Sequence, residues 1–116
     1  MRTVRRGEVW LAELGPIRGR EQAGERPVPV LVVSADPINQ GPADLVVAIP
    51  FTTRARGIPT HVEVHPPDGG LREISFAMCE QIRSLAVERL GSRPFGRVPA
   101  TVLSSVENRL RLLLAL

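Results

Sequence analysis

Apolar and polar positions along this chain fall into short blocks, most of them spaced for strands. Glu8-Val9-Trp10-Leu11-Ala12 reads as a first strand, stopped by Gly15-Pro16. Residues 17–26 are polar, pivot on Gly19 and Gly24, and read as a loop. Val28 to Val33 is a second strand with Pro29 inside it. Proline gives no N–H to a ladder, so this end of the strand must be an edge or a bulge. Asp36-Pro37 and Asn39-Gln40-Gly41-Pro42 are turn material. Leu45 to Ile49 is almost continuously apolar and predicts a central strand buried on both faces. A second polar loop, Thr52 to Pro59, carries Arg54, Arg56 and Gly57. His61-Val62-Glu63-Val64-His65 then alternates, which predicts a strand with one wet face and both histidines exposed.

The pattern changes after a turn at Pro66 to Gly70 and a further strand over Ile74 to Ile82. Leu85 to Leu90 reads as a short turn of helix closed by Gly91, and Phe95 to Val98 as a last short strand. From Thr101 onward, Val102, Leu103, Val106, Leu110, Leu113 and Leu114 recur at spacings of one, three and four. That period gives an amphipathic C-terminal helix able to seal one end of a small barrel or sheet. Leu112 and Leu116 fall outside the narrow stripe, where they suit a subunit contact. The expectation is a single domain over residues 1–116, mostly β with one real helix (α+β).

Composition narrows the chemistry. The chain has 116 residues, enough for one core and too few for two. Aromatics make up only 3%, so the core must be Val, Leu, Ile and Ala. The single cysteine, Cys79, forms no internal disulfide and lies in an apolar run, as a buried small hydrophobe does. No clustered His and Cys spacing points to a metal, and no cofactor is expected. The basic N-terminus lacks a following apolar segment, and Leu110 to Leu116 is too short to span a bilayer, so a cytoplasmic location without a membrane partner is expected. All 15 basic residues are arginine, giving a net charge of +3. With no lysine there is no Schiff base and no lysine nucleophile. Each arginine instead offers a planar fork of donors suited to phosphate.

The stretch Arg20-Glu21-Gln22-Ala23-Gly24-Glu25-Arg26-Pro27 sets a fixed charge where a Gly-containing loop meets a strand. Held still there, Arg26 suits the charge that builds on phosphate oxygens in phosphoryl transfer. Arg18, Arg20 and Glu21 share its loop, where Glu21 either accepts a proton or fixes an arginine by pairing. Thr52-Thr53-Arg54 ends the central strand, and its hydroxyls either donate to a phosphate or cap a turn. His61 and His65 suit acid–base work at neutral pH but lie on the wet phase of their strand. Gln81 and Arg83 share a face that fits RNA contacts or a subunit interface. Trp10 is a core or interface anchor before it is a base-stacking platform. Spacing alone stops at a small β domain with arginine-bearing loops that binds an anionic polymer.

Several blocks, taken together, resemble the MazF/PemK-like toxins of type II toxin–antitoxin systems. They are Arg6-Gly7-Glu8-Val9-Trp10 with Leu14-Gly15-Pro16, the run from Gly19 to Pro27, and Val30 to Ser34. Val47 to Thr53, Pro59-Thr60-His61-Val62, Gly69-Gly70-Leu71, Cys79-Glu80-Gln81-Ile82-Arg83 and Leu90-Gly91 follow in order. The resemblance implies a small SH3-like barrel that forms a homodimer. It implies a metal-independent endoribonuclease cutting single-stranded RNA at short sequences, neutralised by a cognate antitoxin with which it also binds DNA in an autoregulatory complex. It places the catalytic arginine on Arg26, the catalytic hydroxyl on Thr52 or Thr53, and Glu21 in the catalytic loop. RNA contacts fall on Arg18, Arg20, Gln22, Arg54, Arg56, His61 and Gln81, and the dimer interface on Arg83 and Trp10. The expected step is attack of a ribose 2′-hydroxyl on the adjacent phosphorus. A gyrase-poison-like protein binder and an inactive RNA-binding relative stand as the alternatives.

The chain departs from the family pattern at one place. Arg26-Pro27-Val28-Pro29-Val30-Leu31-Val32-Val33 holds two residues more than the usual Arg-Pro-Val-Leu-Val-Val. Two residues preserve a strand's facing, since its period is two. They also carry Arg26 roughly 6.6 Å further along an extended chain, unless a bulge at Pro29 absorbs the step.

Overall fold

In the computed structural model, residues 2–15 and 26–116 are described. The strands are β1 (Glu8–Ala12), β2 (Val28–Val32), β3 (Leu45–Thr52), β4 (His61–Val64), β5 (Ser75–Met78), β6 (Arg83–Ala86) and β7 (Gly96–Arg97). Two helices join them, a single turn α1 (Asp36–Asn39) and the C-terminal α2 (Ala100–Leu114). All pairings are antiparallel, in the order β4-β5-β3-β2-β1-β7, with β6 also on β3.

β3 organises the sheet because its free edge is shared. Leu45 to Ala48 pair with β6, and Phe51 and Thr52 pair with β5. Pro50 sits in the gap between these partners. Val33 N–H donates to Val47 O, so the odd residues of β3 turn their backbone groups toward β2 and Pro50 turns away from it. A residue without an N–H therefore breaks no ladder. The same alternation turns Pro29 toward β3, and there the β2–β3 pairing stops, at Val30 opposite Pro50. The sheet splits at this point. Val28 and Pro29 stay with Ala12 and Leu11 of β1, while Phe51 and Thr52 leave with β5.

The two faces of the sheet bury different cores. Trp10, Ala12, Leu14, Val30, Val32, Val46, Ala48, Leu85 and Leu90 pack together inside the curl formed by β1, β2, β3 and β6. A bridge from Ala12 to Leu90 closes that curl. On the other face Val9, Leu31, Ile49, Phe51, Val62, Val64 and Ala77 meet Val106 of α2, with Val102, Leu103 and Leu110 alongside. Val102, Leu103, Val106 and Leu110 of the predicted stripe are the packed face, whereas Leu113 and Leu114 are exposed. Arg6 ties the N-terminal segment to α2 through Glu107.

Several expectations are corrected. Leu85 to Leu90 is not helical throughout; it is the end of β6, a 3-10 turn over Val87–Arg89, and the bridging Leu90. Ile74 to Ile82 is not one strand, because a 3-10 turn at Cys79–Gln81 lets the chain pass from β5 to β6 along one edge of β3. The Asp36-Pro37 turn is helical. No bulge occurs at Pro29, where the β1–β2 register runs unbroken from Val9↔Leu31 to Ala12↔Val28. Val28 and Pro29 both belong to the β1–β2 ladder, so no bulge absorbs two added residues there.

Candidate nuclease site

The split in the sheet sets the site. One prong is the end of the β1–β2 hairpin, from which Arg26 projects two residues beyond Val28, exposed. The other is the end of β3, carrying Thr52 and Thr53. The β2–β3 pairing ends at Val30 opposite Pro50, so Arg26 and Thr52 stand on strands that have parted. Glu21, Arg18, Arg20 and Gln22 lie outside the described residues.

Thr52 is 7% exposed, and its Oγ1 accepts from Arg54 N–H at 3.2 Å. The hydroxyl caps the turn, as one of the sequence readings holds. A hydroxyl accepts twice and donates once, so the cap still leaves its proton for a phosphate oxygen. Thr53, Arg54 and Arg56 are exposed on the loop that follows. Arg56 and Gln81 both reach Met78 Sδ, at 3.9 and 3.6 Å, which brings this loop beside the turn after β5. Arg83 is half-buried at the start of β6, paired with Ala48.

Two placements differ from expectation. Trp10 is 1% exposed, inside the closed curl, with its indole N–H on Glu8 Oε1 at 3.1 Å. It is a core residue of the protomer rather than an interface anchor. His61 is buried, although its strand alternates as predicted and Glu63 and His65 are exposed. Its Nε2 lies 2.9 Å from Glu80 Oε2, and Thr60 Oγ1 donates to Glu80 Oε1 at 2.7 Å. His61 Nδ1 is the one buried side-chain N or O atom without a hydrogen bond among the described residues. Burial raises the Glu80 carboxyl, but the hydrogen bonds from Thr60 and His61 outweigh it and leave the pKa below its ordinary value. Glu80 thus stays ionised and draws the Nε2 proton of His61. This pair braces β4 against the turn after β5. Sequence reading missed Glu80 as its partner because nineteen residues separate them.

Cys79 is fully buried, and burial with the nearby Glu80 charge pushes its thiol up to about 11. The thiol is neutral at physiological pH. Its contribution to stability is fully present below the ordinary thiol value of about 8.5 and is lost as pH rises through about 11. A thiol reagent at pH 8 is expected to label Cys79 slowly in the folded protein and rapidly in denaturant; equal rates would contradict this burial. Among the described residues no three His, Cys, Asp or Glu side chains group closely enough to hold a metal ion.

Comparison with known proteins identifies the family and the fold. The profile of the PemK-like, MazF-like toxins of type II toxin–antitoxin systems matches residues 5–114. The chain is 39% identical over 114 residues to the endoribonuclease MazF9 of Mycobacterium tuberculosis, covering 94% of each protein. Among solved structures, MazF from Deinococcus radiodurans superposes with a TM-score of 0.85 at 28% identity over all of both chains. A mycobacterial endoribonuclease bound to its cognate antitoxin gives a TM-score of 0.78 at 28% identity, covering 97% of this chain and 96% of that one. The mostly β curl with a closing C-terminal helix is that of the MazF structures. This chain belongs to the PemK-like, MazF-like toxins of type II toxin–antitoxin systems.

Proposed function

We propose that the protein is a toxin endoribonuclease that cuts single-stranded RNA at the split between β2 and β3. The observation that supports this reading is 39% identity to a curated endoribonuclease over 94% of the chain, with Arg26 exposed just before β2 and Thr52 at the end of β3. The 2′-hydroxyl of the nucleotide before the cut attacks the adjacent phosphorus, and the 5′-oxygen of the next nucleotide leaves. The products are a 2′,3′-cyclic phosphate and a 5′-hydroxyl. Arg26 stabilises the negative charge on the non-bridging oxygens, and Thr52, with its hydroxyl proton free, donates to one of them. In this scheme Glu21 takes the 2′-hydroxyl proton, and water supplies the proton that the leaving 5′-oxygen gains. RNA is required because DNA lacks the nucleophile. Arg54, Arg56 and Gln81 line the approach, with Arg18, Arg20 and Gln22 in the adjoining loop. No metal takes part.

The same reading gives the protein a cytoplasmic location, a cognate antitoxin and a symmetric homodimer. No described helix is long and apolar enough to cross a membrane. Solved complexes pair MazF of D. radiodurans with MazE, and a mycobacterial endoribonuclease with its antitoxin. The dimer is supported by Leu112, Leu114 and Leu116, which are 79%, 55% and 83% exposed at the end of α2, an apolar group that favours cover by a second copy. Arg83 belongs to the interface in this scheme. The test is incubation of purified, antitoxin-free protein with a long, weakly structured RNA in EDTA. Discrete fragments are expected, and intact RNA from folded protein would sink the reading.

A further inference from the structure

A cavity of about 800 Å³ opens where the two prongs part. Its wall includes the cross-strand pair Leu11 and Pro29 on one side and Thr53 on the other, so it is continuous with the fork. Loops from two distant parts of the sequence complete it, bringing Arg72, Arg93 and Phe95 to its lining. Phe95 is 47% exposed, an unusual state for one of four aromatic residues in the chain. Arg72 and Arg93 are exposed and make no ion pair among the described residues.

The platform is held firmly. Phe95 N–H donates to Val9 O at 2.8 Å, anchoring it to β1. Gly70 packs so tightly on the Phe95 carbonyl that a Cβ there would lie 2.1 Å from its oxygen. The ring is therefore presented from a fixed backbone, with two guanidinium groups on the same concavity. An exposed aromatic with fixed positive charge beside it matches a nucleic-acid strand, whose bases stack and whose phosphates need cations. Glu73 also lines the cavity and repels phosphate at its own position, which restricts the path a strand takes.

We propose that this cavity is a subsite for the single-stranded RNA flanking the cleaved bond, with one base stacked on Phe95 and adjacent phosphates against Arg72 and Arg93. The identity of the occupant rests on the endoribonuclease reading above. The subsite adds affinity and selects how the strand leaves the fork.

Two measurements on the full-length protein separate the outcomes. Binding uses a fluorescent random-sequence 2′-O-methyl oligoribonucleotide pool, which has no nucleophile and is not cut. Cleavage uses a long unmodified RNA. Phe95→Ala is expected to weaken pool binding about 5- to 150-fold, and to raise KM rather than lower kcat in cleavage. Phe95→Leu keeps apolar bulk without ring faces and is expected to bind as weakly while retaining the wild-type melting temperature. Replacing both Arg72 and Arg93 by Gln is expected to flatten the slope of log affinity against log salt by about 1.4. Wild-type cleavage with unchanged binding in these variants overturns the subsite alone. Absence of both cleavage and binding by the wild type overturns the subsite and the nuclease reading together. Phe95-dependent binding without cleavage keeps the subsite and removes the nuclease. A defect seen only with purified antitoxin overturns the RNA assignment and makes the cavity a protein-binding face.

Discussion

Replacing Arg26 by alanine is expected to lower kcat for RNA cleavage about 100- to 1,000-fold while leaving folding intact. The magnitude follows from the loss of one preorganised donor to a charged transition state. Arg26 is exposed and lies outside the β1–β2 ladder, so its side chain contributes little to the core. Arg26→Lys is expected to recover only part of the loss, since an ammonium lacks the planar fork that spans two phosphate oxygens. The continuous β1–β2 register sharpens the test. Val28 and Pro29 pair with β1 without a bulge, so Arg26 stands two residues beyond the end of that ladder. Deleting Val28 and Pro29 together would keep strand facing and draw Arg26 inward. If Arg26→Ala cuts RNA at the wild-type rate, the charge at the fork comes from another arginine, with Arg54 the next candidate.

Gly70→Ala is expected to destabilise the protein by about 3 kcal/mol, from combined backbone strain and overpacking. Gly70 has φ +71°, and a Cβ would meet the Phe95 carbonyl carbon at 2.5 Å as well as its oxygen. Both contacts are with backbone, so no side chain can swing aside. At roughly 4–8 °C per kcal/mol for a domain of this size, the melting temperature falls by roughly 12–24 °C. Gly57→Ala separates the two causes. Gly57 also has positive φ (+64°) but nothing within 4 Å of its added carbon, so it reports strain alone, about 1 kcal/mol. Equal melting temperatures for the two variants would show that the turn at Gly70 yields and that Phe95 is not rigidly presented.

The sequence carried the fold where local pattern and tertiary environment agree. β1, β2, β4 and α2 follow directly from alternation or helical spacing, and Pro29 correctly marks the end of a ladder. The misreadings share a cause. Leu85 to Leu90 is too short an apolar run for periodicity to tell strand from helix, and its state is decided by distant partners, β3 and Ala12. His61 sits on the wet phase of its strand, yet Glu80 arrives from the far end of β5 and seals it in. Trp10 takes the core role that its sequence reading allowed, and the curl closing over it is what removes it from the dimer interface. At the site, Arg26 and Thr52 are proposed from residue type, loop position and family resemblance. Arg72, Arg93 and Phe95 were not legible in the sequence. They come from two loops distant in sequence, brought together where Gly69 and Gly70 pack against Phe95 and Gly96.

The central claim is RNA cleavage by internal 2′-hydroxyl attack, and the chemistry of the new ends tests it most directly. Fragments made by the purified protein in EDTA would be ligated or labelled according to their termini. The account predicts 5′-hydroxyl ends that accept phosphate from a polynucleotide kinase, facing 2′,3′-cyclic phosphates or the 3′-phosphates derived from them. A single 2′-deoxy substitution at the nucleotide before a mapped cut should protect that bond alone. Fragments bearing 5′-phosphates, or cleavage that persists at the deoxy position, would contradict it.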